Sequence, residues 1–90
     1  MRARYSAFTI GDDAYLLRTW HSSTRPARLV LDPQRRWTRL DVLATERGSM
    51  FDAEGTVEFD AHYRWLTHTG TQHEKSRFQR EHGEWVYLGE

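Results

Sequence analysis

Glu74, Ser76 and Phe78 fall at every second position of HEKSRF near the C-terminal end. That spacing puts all three side chains on one face of a β-strand. Phe78 assigns the face to the interior, so Glu74 and Ser76 look inward with it. A carboxylate held there is partly desolvated, which favours its neutral form and suits general-acid or general-base work. The plainer reading is structural, with Glu74 paired to an arginine such as Arg4 on the first helix. Buried pairs of that kind commonly carry no activity, and we take this reading first.

His21 is the second candidate, at the end of the second helix beside Trp20. A histidine there caps free carbonyls and is favoured as a cation by the helix dipole. The functional alternative places it at the mouth of an interior cavity, as a ligand contact or proton carrier for whatever lies near Glu74. Arg4 suits an anionic ligand, since a guanidinium matches carboxylate or phosphate, whereas Tyr5 is expected to bury its ring and use its hydroxyl as a polar handle. Arg25 is read as a solvated loop residue. Trp20, Phe78, Trp85 and Tyr87 are expected around Glu74 and Ser76, with Tyr15, Trp37, Phe59 and Trp65 mostly core. His62, His68, His73 and His82 have no recognised metal-ligand spacing, so neither metal nor cofactor is expected. No glycine-rich phosphate loop or nucleophile–base motif is present either.

These residues need elements to hold them. MRARYSAFTI reads as a short helix, with Tyr5 and Phe8 on one side and Gly11 ending it. Asp12 is expected to cap a second helix from about Asp13 to Trp20, burying Leu16, Leu17 and Trp20. Asp32-Pro33 signals one helical turn over Pro33–Arg36. Trp37–Glu46 reads as a strand with Leu40, Val42 and Ala44 on one face, and Arg47–Gly55 as a loop. In the next strand Val57, Phe59, Ala61, Tyr63 and Trp65 oppose Glu58, Asp60, His62 and Arg64. A turn is expected over Thr67–Thr71 around Gly70, and a hairpin at Glu81-His82-Gly83. Two to three helices before a curved four-stranded antiparallel sheet make an α+β plan, with one sheet face buried.

Composition bounds the function. Ninety residues support one core, so residues 1–90 are read as a single domain. Thirteen basic and thirteen acidic residues give zero net charge, against the basic excess of a nucleic-acid module. Mean hydropathy is −0.84, and no apolar run approaches the ~20 residues of a membrane helix. The absence of cysteine excludes disulfides and thiolate metal sites. With no export signal recognised, the cytoplasm is the expected compartment.

RARYSAF (residues 2–8), YLLRTWHSSTRP (15–26), EGTVEF (54–59) and the HEKSRF…WVY ending together resemble the middle domain of the YchJ-like family. The resemblance covers essentially the whole chain and implies a nuclear transport factor 2-like, or cystatin-like, cone in which helices close a curved sheet. Longer members carry flanking cysteine-rich SEC-C motifs that bind zinc; this chain has none, so zinc binding is not carried over. Met1 stands where a methionine commonly precedes the Arg-x-Arg-Tyr-Ser motif, consistent with a start at an internal methionine. The function expected is a small binding or accessory domain, holding a small ligand in the cone or docking a protein partner. The alternative is a small isomerase, dehydratase or hydrolase using Glu74 and His21. Pairing of two copies through the outer sheet face is the expected route to a homodimer.

Overall fold

The alternation between Val57 and Trp65 is realised in the second strand of a four-stranded antiparallel sheet. In the computed structural model, which describes residues 2–90, α1 (Arg2–Ile10) and α2 (Asp13–Arg18) come first. They are followed by β1 (Arg35–Arg47), β2 (Glu54–Trp65), β3 (His68–Glu81) and β4 (Glu84–Gly89), which form a meander in the order β1-β2-β3-β4. The α+β plan is therefore as expected, with two helices; Met1 lies outside the described residues.

Pairing shows which side chains share a face, because residues directly opposite one another project to the same side. Phe59 faces Glu74, Val57 faces Ser76 and Ala61 faces Gln72. Phe59 (6 % exposed), Ala61 (4 %) and Ser76 (0 %) identify this side as the buried one. Helix α1 packs over it, with Phe8 edge-on to Trp37 at 6.1 Å between ring centroids.

Four features differ from expectation, each for a physical reason. Helix α2 stops at Arg18 rather than Trp20, although Asp12 caps its start by accepting from the Tyr15 N–H at 3.0 Å. Beyond the helix the chain hydrogen-bonds the edge of β4: His21 N–H donates to Tyr87 O at 2.7 Å and Tyr87 N–H to Thr19 O at 2.9 Å. Two main-chain bonds to a sheet edge replace continued helix and cover part of that edge. The helical turn expected at Pro33–Arg36 is instead a tight turn, with Asp32 accepting from the Gln34 N–H at 2.9 Å, and β1 begins at Arg35.

The turn expected around Gly70 lies earlier, at Leu66 and Thr67, between the paired residues Trp65 and His68. Gly70 is inside β3 opposite Tyr63, where an added Cβ would come within 2.6 Å of the tyrosine ring. The glycine makes room for a cross-strand ring rather than a turn. In β1, irregularities between Trp37 and Arg39 and between Val42 and Ala44 shift the register. Leu40 and Val42 pair with Ala61 and Phe59 as expected, but Ala44 pairs with Glu58 on the opposite side. Such bulges bend a strand and re-aim its side chains. The hairpin at His82-Gly83 is as expected, with φ of 53° and 81°, the paired positive values of a tight β-turn.

Candidate functional site

Between α1 and the buried sheet face lies a pocket of about 380 Å³, lined by residues including Arg4, Tyr5, Phe8, Trp37, Phe59 and Glu74. Its mouth is bordered by Leu29–Asp32 and Arg35. That segment is tied down because Asp32 accepts from the Trp65 indole N–H at 2.9 Å, joining the entry of β1 to the end of β2.

Glu74 reaches the pocket from the middle of β3, and its carboxylate is fixed from behind. Ser76 and Tyr87 hydroxyls both donate to Oε2, Tyr87 at 3.4 Å. Burial pushes the Tyr87 phenol above its ordinary range, and the Glu74 charge pushes it further the same way. Arg4 lies over that ring, its guanidinium carbon 3.7 Å from the Tyr87 centroid, 4.9 Å from Trp20 and 5.1 Å from Phe8. Burial pulls its pKa below the ordinary arginine value, opposed by the attraction of Tyr87 and Glu74.

The expected Arg4–Glu74 ion pair is not formed among the described residues. Arg4 is held by three aromatic rings through cation–π attraction, and its buried Nη1 has no hydrogen-bond partner. The nearby Trp20 Nε1 is likewise buried and unpartnered.

The nominated residues divide by position. Arg4, Tyr5 and Glu74 line the pocket. Ser76 and Tyr87 hold Glu74, Trp20 packs edge-on against Tyr87 at 4.9 Å, and Phe78 does so at 5.8 Å. His21 is elsewhere. Its Nδ1 accepts from the Ser23 N–H at 3.0 Å, and Nε2 lies 3.5 Å from Glu81. The ring therefore neither enters the cavity nor folds back onto its own helix. Its own main chain is bound to the β4 edge, and this turns the side chain toward the end of β3. Trp85 lies under Arg80, 4.5 Å from the guanidinium, and with Phe78 borders a separate cleft beside Gly55 and Val57.

Several pocket residues were not nominated from the sequence. Gln72 carried a usable signal, being two residues before Glu74 on the same strand face. Leu29, Leu31 and Arg35 carried none, because their segment has no periodicity and reaches the pocket only through tertiary contacts.

The outer sheet face carries a ladder of its own. His73 bridges Asp60 at 2.7 Å and Glu58 at 2.9 Å, while His62 contacts Asp41 at 2.8 Å. Among the described residues no group of histidines and carboxylates has metal-holding geometry. No helix is long and apolar enough to cross a membrane.

A family model described as YchJ, middle NTF2-like domain, matches residues 1–89. The chain belongs to that family. A UPF0225 protein of Streptomyces coelicolor is 59 % identical over 97 % of this chain and 67 % of its own length. The UPF0225 protein of Streptomyces avermitilis is 53 % identical, over 98 % and 60 %. The chain thus spans about two thirds or less of the length of these YchJ-like relatives. The solution structure of a SEC-C motif containing protein from Rhodopseudomonas palustris superposes with a TM-score of 0.81 at 27 % identity, covering 98 % of this chain and 71 % of that one. A crystal structure of a SEC-C motif containing protein from Psychrobacter arcticus gives 0.75 at 24 % identity, covering 98 % and 55 %. It shares the fold.

Proposed function

We propose that this YchJ-like domain is a small-ligand-binding module whose site is the pocket between α1 and β1–β3. One observation carries the reading: a pocket of about 380 Å³ with mostly apolar walls and a few converging polar groups, Arg4 and Glu74 foremost. Ligand sites of about 300–1,000 Å³ are commonly built in this way. The carboxylate is pre-oriented by Ser76 and Tyr87, so little ordering is left to the moment of binding. Acid–base catalysis by Glu74 and His21 draws no support from the geometry, since His21 is engaged by Ser23 and Glu81.

A thermal-shift screen of a library of small metabolites, charged and neutral, tests this reading. A ligand at 100 times its Kd adds about 2.7 kcal/mol. At about 4–8 °C per kcal/mol for a domain of this size, the melting point should rise by about 10 °C or more. For a ligand that sets a positive charge on the carboxylate, the shift should shrink in Glu74→Gln. A melting curve unmoved by the whole library removes the pocket reading. What then remains is docking of a protein partner, for which Met50 (77 % exposed) and Phe51 (91 %) are among the apolar residues presented.

A further inference from the structure

The polar atoms around the pocket specify more than that something binds. Buried donors in folded proteins nearly always have an acceptor, and an orphan is a feature to be explained. Arg4 Nη1 is such an orphan. A guanidinium keeps its proton, so the atom calls for an acceptor, and an ionised acceptor gives the stronger bond. Glu74 does not supply it: its Oε2 takes the Ser76 and Tyr87 hydroxyls, and no donor among the described residues reaches Oε1. Arg4 and Glu74 both line the pocket, each with one polar atom that no group among the described residues satisfies.

The remaining charges narrow the chemistry. Arg35, at the mouth, lies 4.7 Å from the Tyr63 ring and has no ion-pair partner among the described residues. Asp32 has both oxygens engaged, by Gln34 N–H and Trp65 Nε1–H. Arg4 and Arg35 against Asp32 and Glu74 make the lining neutral, which disfavours a polyanion such as a phosphate ester. Between these polar groups the walls are mainly apolar and rich in rings, with Phe8, Trp37, Phe59 and Ala61.

We propose that the pocket takes a small monocarboxylic acid with a hydroxyl or amine beside the carboxylate. The carboxylate meets Arg4, the hydroxyl or amine donates to Glu74, and an apolar body lies on Phe59, Ala61 and Trp37. This rests on the binding reading above and specifies its ligand class.

The test is an NMR titration of the whole chain, following backbone amides with four probes sharing one body: 3-phenyllactate, phenylalanine, 3-phenylpropionate and the neutral 3-phenylpropane-1,2-diol. A second series carries a leucine-sized aliphatic body. In the better-fitting series, the hydroxy or amino acid should bind about tenfold more tightly than the plain acid, and at least about tenfold more tightly than the diol. Shifts should centre on α1 and the middle of β2 and β3. Glu74→Gln separates the two donors: an amine loses about tenfold in affinity with the negative charge, while a hydroxyl still finds an amide oxygen. Arg35→Gln, at the mouth, weakens acids and leaves the diol unchanged, and avoids the folding risk of replacing Arg4. A diol that binds as tightly as the acids overturns the ligand class and leaves the binding reading standing. If no probe, charged or neutral, shifts amides at the pocket, the ligand class falls, and the metabolite library alone decides the binding reading.

Discussion

Ser76→Ala is the perturbation whose size follows most directly from the site. Ser76 is fully buried and gives its hydroxyl proton to Glu74 Oε2. Alanine fills nearly the same space, so the change removes a hydrogen bond without opening a cavity. A hydrogen bond to a charged group contributes about 1.5–3 kcal/mol. At about 4–8 °C per kcal/mol, the melting point should fall by about 6 °C or more. Tyr87 donates to the same oxygen from 3.4 Å, the outer edge of useful geometry. Its ring, by contrast, keeps its contacts with Arg4, Trp20 and Phe78 when the hydroxyl is removed. Tyr87→Phe should therefore cost less than about 1 kcal/mol. Urea unfolding followed by tryptophan fluorescence measures both. The cycle of Ser76→Ala with Glu74→Gln should show a coupling on the order of 1 kcal/mol. A Tyr87→Phe cost equal to or above that of Ser76→Ala would refute the assignment of Ser76 as the main support of Glu74. So would a Ser76→Ala effect within about 0.5 kcal/mol of zero, the usual range for an inconsequential surface change.

Two further outcomes are expected. A Cβ on Gly55 would lie 2.8 Å from the backbone of Gly48, whereas one on Gly70 meets only the Tyr63 side chain. Gly55→Ala should thus be the more destabilising, at about 1–3 kcal/mol from overpacking, because a ring can swing aside and a main chain cannot; equal unfolding midpoints for the two variants would contradict this. On the outer face, hydrogen bonds to Asp60 first and Glu58 second raise the His73 pKa above 6.5. Its contribution to stability is then full below about pH 6.5 and is lost as the pH rises through the folded value. The melting-point gap between the wild type and His73→Gln should close on the alkaline side of that titration, and an NMR titration of the ring at or below 6.5 would count against the bridge.

Much of the architecture was legible because a strand that covers a core must alternate. Phe59 and Ala61 on one side of β2, and Glu74, Ser76 and Phe78 on one side of β3, are placed by period alone. Capping at Asp12 and the His82-Gly83 turn are equally local, since each depends on the conformation of a few neighbouring residues. The bulges of β1 were not legible. They carry no glycine or proline signal, and they move Ala44 to the far face by a register choice made against β2. Gly70 is ambiguous in the sequence because glycine serves both turns and close packing, and only Tyr63 across the strand distinguishes them.

Taken alone, the sequence determined which residues of β2 and β3 face inward, since face is a matter of parity along a strand without bulges, and hence that Glu74 looks into the fold. Whether its neighbours there are partners was decided in three dimensions. The hydrogen bonds from Thr19–His21 to β4 carried His21 away from the pocket, and the Tyr87 ring took up Arg4 in place of Glu74. The segment Leu29–Leu31, silent in the sequence, was brought to the mouth by the hold of Trp65 on the adjoining Asp32. Periodicity fixes direction locally, but which charges meet depends on contacts between segments far apart in the chain.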